Sequence, residues 1–225
     1  MKFLPIKNYK HGDYPQGSVT QWFGENPSLY QKAIDTNGHN GIDIVAPWGT
    51  PLFAVDDGAV VDVKNDPNGF GKHIRFFAIK DKEAVEWTYG HCSNIYVKVG
   101  DKIKAGDHIA DMGNTGFVVS GATPYWEHNP YAGTHLHLGK RIHKLNHAGW
   151  SYPNSEYRVI TQNYDNGFKG AIDFKDELKE CYEGSSKESP VLTPDEVKSI
   201  QLTIISLQNQ VISLLRQIIS LWKTK

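Results

Sequence analysis

Short alternating runs of apolar residues, separated by turn signals, fill most of the chain from residue 18 to 140. The runs cover residues 41–47, 51–63, 71–79, 86–93, 95–113 and 133–141, and Asp-Asp-Gly, Asp-Pro-Asn-Gly, Val-Gly-Asp and Ala-Gly-Asp punctuate them. No segment in this stretch keeps a sustained helical period. The pattern therefore predicts a mostly β domain built on an antiparallel sheet.

Residues 141–183 mix aromatic residues with turn signals, and we interpret them as an extension of the same domain. Within them, residues 174–184 favour a short helix. The polar, Gly-, Ser- and Pro-containing stretch at 184–193 is typical of a linker. We therefore expect one domain over residues 1–183, followed by a linker and a separate C-terminal segment.

Residues 194–225 carry a seven-residue apolar repeat that predicts an amphipathic helix. Thr193, Pro194 and Glu196 supply the N-cap, first-position and capping-box signals of a helix start. One heptad position holds Val197, Ile204, Val211 and Ile218, and its partner position holds Ile200, Leu207, Leu214 and Leu221. Four uninterrupted heptads are typical of a coiled coil, so we expect a homo-oligomer through residues 194–222. The alternative is a helix packed on its own domain.

Charge and polarity exclude two classes of partner. The chain has 24 basic and 25 acidic residues, which gives no reason to expect nucleic acid or an anionic membrane as the main partner. Arg216 and several glutamines lie within the C-terminal apolar stretch, and a central Arg is costly in lipid. We therefore predict no transmembrane segment.

Five residues have the chemistry of one zinc site. His39 and Asp43 arrive together early in the chain, His91 follows in the middle, and His135 and His137 stand one residue apart near residue 140. A catalytic zinc needs three nitrogen or oxygen ligands and an open fourth position. The five residues can supply three ligands and leave imidazoles for proton transfer.

The strand period places these side chains on one face. Around Asp43, the neighbours Ile42 and Ile44 point to the opposite face of a strand. In the same way, His135 and His137 share one face, whereas Leu136 and Leu138 share the other. A strand with two imidazoles on one side and two leucines on the other is difficult to explain by packing alone.

The chain resembles the lysostaphin-like (LytM-type) zinc metallo-endopeptidases, which cut the peptide part of peptidoglycan. The matching pieces come in the family's order, and the resemblance covers about residues 18–140. They are residues 20–24, 39–61, 89–93, 97–116 and 134–138. This resemblance implies a Zn²⁺ cofactor held by His39, Asp43 and His137. It also implies that His91 and His135 are the unliganded catalytic pair, with their individual roles left open.

The resemblance implies a zinc endopeptidase that hydrolyses cross-link or stem peptides of bacterial peptidoglycan. Residues 1–17 contain no apolar run of signal-peptide length. We therefore expect a phage-type lytic enzyme, made in the cytoplasm, that acts on the wall after release or as part of a phage particle. The alternative is a non-catalytic oligomeric scaffold, virion or regulatory protein that keeps the peptidase fold.

One segment departs from the family pattern. Residues 117–133 intervene where the family has a short link before the His135 strand, and they contain several aromatic residues. Because the segment leads directly into the predicted site, it is a candidate for gripping a peptide or glycan. Packing of the loop on itself is the alternative.

Overall fold

The computed structural model describes residues 1–7, 18–120, 123–124 and 130–187, together with positions 208, 210, 211, 214 and 215. The chain divides into two units, Met1–Ser186 and Lys187–Lys225. In the second unit the described positions are helical, and among them Val211, Leu214 and Leu215 are exposed. Within the described ranges, no helix combines the length and apolarity needed to span a bilayer.

The described part of the first unit contains thirteen strands and two helices. The first strands are β1 (Val19–Gln21), β2 (Ile42–Ile44), β3 (Pro51–Phe53), β4 (Gly58–Asp66), β5 (Gly71–Lys80), β6 (Glu83–Gly90) and β7 (Cys92–Ile95). The remaining strands are β8 (Lys102–Ile103), β9 (His108–Met112), β10 (Val119–Ser120), β11 (Thr123–Pro124), β12 (Leu136–Trp150) and β13 (Val159–Thr161). The helices are α1 (Pro27–Ile34) and α2 (Lys175–Lys187).

An eight-stranded sheet forms the centre of the fold. Its strand order is β1-β2-β12-β6-β5-β4-β8, and β13 pairs with the far part of β12. All of the pairings are antiparallel. A three-stranded sheet, β3-β9-β7, and the short β10-β11 pair complete the described strands. The structure thus confirms a mostly β, antiparallel domain.

The main core lies between one face of the large sheet and the three-stranded sheet. Strands β5, β6 and β12 contribute alternate residues that are fully buried, as their period-2 patterns require. The large side chains of this core include Ile42, Ile44, Leu52, Ile74, Phe76, Trp87, Tyr89, Ile109, Met112, Leu136 and Leu138. The predicted orientation of Ile42, Ile44, Leu136 and Leu138 is confirmed.

The opposite face of the large sheet carries the polar residues. At its far end, a group that we call the ion-pair cluster consists of Asp62, Arg75, Glu86, Arg141, His143 and Tyr152. A second apolar cluster that includes Val61, Phe77 and Val159 packs beside it. The predicted zinc-site residues lie at the other end of this face.

Three features differ from the sequence predictions. Helix α1 lies inside the stretch that was expected to be free of helix. The sequence pattern did not predict it, because eight residues are too few to show a sustained period. Strand β12 continues to Trp150, nine residues beyond the predicted run that ends at 141. Helix α2 runs through residues 184–187, which were assigned to the linker. The predicted coiled coil lies mainly outside the described residues.

Candidate metal centre

Three side chains meet at one end of the sheet face. His39 lies three residues before the start of β2, Asp43 lies in β2, and His137 lies in β12, where it pairs in register with Asp43. The distances are 3.0 Å from His39 Nε2 to His137 Nδ1, 3.0 Å from His137 Nδ1 to Asp43 Oδ1, and 3.1 Å from His39 Nε2 to Asp43 Oδ1. The three atoms form a nearly equilateral triangle, and we call this group the metal centre.

The surroundings fix the orientation of His39. Its Nδ1 lies 3.3 Å from the carbonyl oxygen of Trp22, so Nδ1–H donates there and Nε2 keeps its lone pair. The ring is almost fully buried and packs against the ring of Tyr30, with centroids 5.1 Å apart. This is the arrangement expected for a metal-binding imidazole, whose second nitrogen is held by a backbone carbonyl.

Gly41 leaves the space that the His137 ring occupies. A Cβ atom at position 41 would lie 2.6 Å from His137 Cε1 and 2.7 Å from its Nε2. It would also lie 2.6 Å from the carbonyl oxygen of Leu138. Any larger residue would therefore displace the ring, which gives Gly41 of the His-Asn-Gly-Ile-Asp motif a physical function.

Burial and charge set the protonation of the metal centre. Burial alone would raise the pKa of Asp43, but His135, His137 and His39 together hold it well below its usual range. Burial lowers the pKa of His137 to about 4, against the opposing effect of Asp43. At neutral pH Asp43 is therefore a carboxylate and His137 is neutral, which are the forms that bind a metal ion.

The donor set fits zinc. In a tetrahedral site with metal–ligand distances of about 2.0–2.2 Å, ligand atoms lie about 3.3–3.6 Å apart. The edges of 3.0 and 3.1 Å fall a few tenths of an ångström below that range. Among the described residues, this is the one group of three or more His, Cys, Asp and Glu side chains that could hold a metal ion. Two imidazoles and one carboxylate also match the ligand types of catalytic zinc sites.

The two other histidines lie next to the metal centre. The rings of His91 and His135 have centroids 4.5 Å apart, and His135 Nε2 is 3.7 Å from Asp43 Oδ2. His91 Nδ1 donates to the carbonyl of Thr115 over 2.7 Å, and His135 Nδ1 donates to that of Gly133 over 2.7 Å. Because carbonyls accept hydrogen bonds only, each ring holds a proton on Nδ1, and its Nε2 is the nitrogen that can exchange a proton at the site.

The backbone of His91 has a left-handed conformation, with φ of 62°. Its backbone N–H donates to the carbonyl of Phe70 over 2.7 Å at the end of β6. A non-glycine residue in this conformation costs about 1–2 kcal/mol, and such strain is concentrated at functional sites. Burial, with smaller effects from His135 and His137, holds the pKa of His91 well below its usual value.

The sequence analysis did not identify two aromatic neighbours of the site. Helix α1 brings Tyr30 onto His39, and burial, with Asp43 nearby, raises the pKa of the Tyr30 hydroxyl. Phe70 packs against His137, with ring centroids 4.8 Å apart. Neither residue belongs to a spacing motif. The Pro27 signal for a helix start could have indicated α1.

The segment 117–133 is described only at its two ends and at residues 123–124. The Asn114 side-chain amide donates to the carbonyls of Pro130 and Ala132, each over 2.9 Å, and so holds the end next to His135. Tyr131 is exposed, and its ring packs against Trp48 with centroids 5.5 Å apart. The interpretation of this segment as a gripping loop stays a prediction.

Comparison with known proteins shows which family this chain belongs to. The family model described as Peptidase family M23 matches residues 37–148, which contain all five predicted site residues. The chain belongs to peptidase family M23. The order of motifs seen in the sequence and the grouped His-Asp-His set both agree with this membership.

Three curated M23 relatives have informative names. Glycyl-glycine endopeptidase ALE-1 of Staphylococcus capitis is 33% identical over 114 residues, covering 50% of this chain and 27% of the relative. Peptidoglycan DD-endopeptidase ShyA of Vibrio cholerae is 39% identical over 80 residues, covering 36% of this chain and 18% of the relative. Murein hydrolase activator NlpD of Escherichia coli is 32% identical over 99 residues, covering 44% of this chain and 25% of the relative. The chain therefore spans less than a third of the length of these relatives.

Proposed function

We propose that this M23 protein is a zinc endopeptidase that hydrolyses peptide bonds of bacterial peptidoglycan. The observation that carries the proposal is the triangle of His39, Asp43 and His137 beside two imidazoles whose Nδ1 atoms are held by backbone carbonyls. Zinc held by this triangle would polarise the scissile carbonyl and lower the pKa of a water molecule. The proposal therefore includes zinc as the resident cofactor of the metal centre.

His91 and His135 supply the proton transfers in this proposal. Each Nε2 can accept a proton from water and return it to the leaving amine, as general base and then general acid. The bonds from their Nδ1 atoms to Thr115 and Gly133 keep both rings oriented while the proton moves. Protonated, either ring can also stabilise the negative charge that develops on the scissile carbonyl oxygen.

The substrate class follows from the relatives' names. ALE-1 is named a glycyl-glycine endopeptidase, and ShyA is named a peptidoglycan DD-endopeptidase. Both names describe endopeptidases, the name of ShyA gives peptidoglycan as its substrate, and the two names give different bonds. We therefore propose the peptide part of peptidoglycan as the substrate and leave the scissile bond to experiment.

Mass spectrometry of fragments from purified cell walls tests this function. Zinc-loaded wild-type protein should release muropeptides with new amino and carboxyl termini, and the fragment masses identify the bond. The His135→Ala variant, which keeps the three proposed ligands, should release at least about 100-fold less. Equal release by wild type and variant, or fragments cut only in the glycan, would overturn the proposal.

We also propose that the C-terminal repeat makes the protein a homo-oligomer and so raises its avidity for walls. Exposed Val211, Leu214 and Leu215 on a helical segment support this. In sedimentation, the Leu214→Glu variant should be monomeric, whereas Gln210→Glu should match wild type. Leu214→Glu should also clear whole cells more slowly and cleave a small soluble peptide at an unchanged rate. A monomeric wild type would contradict the proposal.

The phage-type setting rests on the sequence pattern. We propose that the enzyme is made in the cytoplasm and reaches the wall after lysis or inside a phage particle. Proteomics of purified virions and of culture lysates distinguishes these routes from export by a living cell.

A non-catalytic regulatory function is the second candidate. The similarity to a relative named murein hydrolase activator favours it. The complete set of His39, Asp43, His91, His135 and His137 favours catalysis instead. An activator would stimulate a purified murein hydrolase without releasing fragments on its own, and its His135→Ala variant would stimulate equally well.

A further inference from the structure

A single backbone turn contacts both of the histidines that the proposed function assigns to proton transfer. This turn, which we call the 113–116 turn, has the sequence Gly-Asn-Thr-Gly and directly follows β9. The backbone N–H of His135 donates to the Gly113 carbonyl over 3.1 Å. His91 Nδ1 donates to the Thr115 carbonyl over 2.7 Å. The spacing of the two imidazoles, whose ring centroids are 4.5 Å apart, therefore depends on this turn.

The Thr115 hydroxyl fixes the carbonyl that His91 contacts. It donates to the backbone carbonyl of Cys92 over 2.9 Å and accepts from the backbone N–H of Lys72 over 2.9 Å. Cys92 follows His91 directly and begins β7, whereas Lys72 lies in β5. Because one hydroxyl links the turn to two strands, the Thr115 carbonyl can move little relative to the His91 ring.

The Asn114 side chain fixes the carbonyl that the His135 ring contacts. Asn114 is buried, and its amide donates to the carbonyls of Pro130 and Ala132, each over 2.9 Å. The next carbonyl along the chain, that of Gly133, accepts from His135 Nδ1 over 2.7 Å. Because Asn114 holds the peptide groups that precede it, the direction of the Gly133 carbonyl is also restricted.

Close backbone packing prevents the turn from shifting as a whole. A Cβ atom at Gly116, where φ is 82°, would lie 2.1 Å from the backbone nitrogen of Gly71. A Cβ atom at Gly113 would lie 2.6 Å from the backbone nitrogen of Ser93 and 2.9 Å from the carbonyl oxygen of His91. The turn therefore lies directly against the backbone that carries His91, at a distance that only glycine permits.

We propose that Asn114 and Thr115 are positioning residues for the two proton-transfer histidines, Asn114 through His135 and Thr115 through His91. Neither side chain has to touch the substrate or the metal ion for this. A displacement of about 1 Å between reacting groups can cost about 100-fold in rate, so small movements of either ring matter. The proposal rests on the proposed function, in which these two histidines transfer the protons.

Kinetics on a soluble muropeptide that the wild type cleaves test the positioning. Asn114→Ala and Thr115→Val should each lower kcat about 10- to 100-fold, while KM and the zinc content stay at the wild-type values. Thr115→Ser restores the hydroxyl and should recover most of the loss. Asn166→Ala and Thr50→Val are the controls. Each removes a side-chain hydrogen bond to a backbone carbonyl that accepts none from either histidine, and each should keep the wild-type kcat.

Double substitutions distinguish positioning from a general loss of stability. In a protein that already carries His135→Ala, Asn114→Ala should lower kcat by less than about twofold further, because the ring that Asn114 positions is gone. In the same way, Thr115→Val should cost less than about twofold in a protein that carries His91→Ala. Melting temperatures report whether each protein is folded.

A readout without catalysis separates this proposal from the proposed function. Proton NMR of the zinc-loaded chain with isotope-labelled histidine detects Nδ1–H protons that a hydrogen bond protects from exchange with water. Asn114→Ala should lose the His135 signal and keep that of His91, whereas Thr115→Val should lose the His91 signal and keep that of His135. Spectra of the His91→Ala and His135→Ala proteins assign the two signals.

Three results would overturn the positioning. The first is an unchanged kcat in both Asn114→Ala and Thr115→Val, and the second is the same fold loss whether or not the matching histidine is present. The third is a pair of unchanged Nδ1–H signals in both variants, which needs no active enzyme. If the signals disappear as expected in a protein that cleaves no wall peptide, the positioning stands and the proposed function fails.

Discussion

The metal centre and the ion-pair cluster lie on the same face of the same sheet, yet their charges are satisfied differently. In the ion-pair cluster, Glu86 accepts from Arg141, His143 and Tyr152, so each anion already has protein cations or donors. At the metal centre, a carboxylate oxygen and two imidazole nitrogens converge within 3.1 Å of one another. The first arrangement needs nothing from outside, whereas the second is complete only with a cation.

This difference shows how one sheet can contain both a stabilising ion-pair cluster and a site that binds a metal ion. Strands β6 and β12 supply Glu86 and Arg141 at one end and position His91 and His137 at the other. The comparison predicts that substitutions at the metal centre remove metal and activity, whereas substitutions in the ion-pair cluster remove stability.

Loss of Asp43 should have the largest effect. Asp43→Asn keeps the size of the side chain but removes the negative charge that the two imidazoles face. We expect zinc content below a tenth of the wild-type level and at least about a 1,000-fold loss of wall hydrolysis. Elemental analysis and fragment release measure these quantities. Asp62→Asn is the matched control, and equal zinc loss in both variants would break the comparison.

Loss of His135 should affect catalysis alone. His135→Ala should retain zinc at a stoichiometry of about one and lose about 100- to 10,000-fold in the hydrolysis rate. The metal content and the rate must be measured on the same preparation. Loss of zinc together with activity would instead make His135 a ligand.

Loss of the Glu86 charge should affect folding more than chemistry. Glu86→Gln removes the charge of a buried carboxylate and leaves the half-buried Arg141 guanidinium without this anionic partner. Breaking one partner of a buried pair costs about 3–5 kcal/mol of unfolding free energy. Denaturant unfolding measures this loss, and the folded variant should still bind one zinc ion. Unchanged stability would contradict the account of the ion-pair cluster.

Gly41→Ala should weaken the metal centre indirectly. The added methyl group meets the His137 ring and the Leu138 carbonyl, so the ring must move. Substitutions that disturb the support of a metal ligand cost about 10- to 100-fold in metal affinity. Competition with a zinc-binding dye measures this affinity, and Gly184→Ala, which has no neighbour within 4 Å, is the control.

Acid should reveal the contribution of Glu86. Burial raises the pKa of this carboxyl, but His143, Arg141 and Arg75 outweigh burial and leave it lowered from 4.5. Because the native pKa is lowered, the ionised carboxylate stabilises the fold fully above the unfolded pKa of about 4.5. This stabilisation is lost as the pH falls from that value toward the native pKa. Zinc-free wild type should therefore lose at least about 1 kcal/mol more than Glu86→Gln between pH 5 and 3. Parallel pH profiles would contradict this.

The sequence predicted the strands that carry the site because their alternation is local. The faces of Asp43, His135 and His137 follow from the neighbouring isoleucines and leucines, which are indeed buried. The metal-ligand assignment and the catalytic assignment of His91 and His135 stay predictions, although the structure brings all five residues together.

Other features depend on strand register and on non-local packing, which one sequence does not reveal. The ion pair between Glu86 and Arg141 joins residues 55 positions apart, and it forms because β6 and β12 pair in one particular register. The contact between Phe70 and His137 is also non-local, because the turn between β4 and β5 places Phe70 beside β12. Local spacing gives no signal for either contact.

Anomalous diffraction from zinc-loaded crystals tests the central claim most directly. We predict one zinc peak bonded to His39 Nε2, Asp43 Oδ1 and His137 Nδ1 at about 2.0–2.2 Å, with His91 and His135 outside bonding distance. A peak elsewhere, or one that His91 or His135 ligates in place of any of the three, would contradict the account.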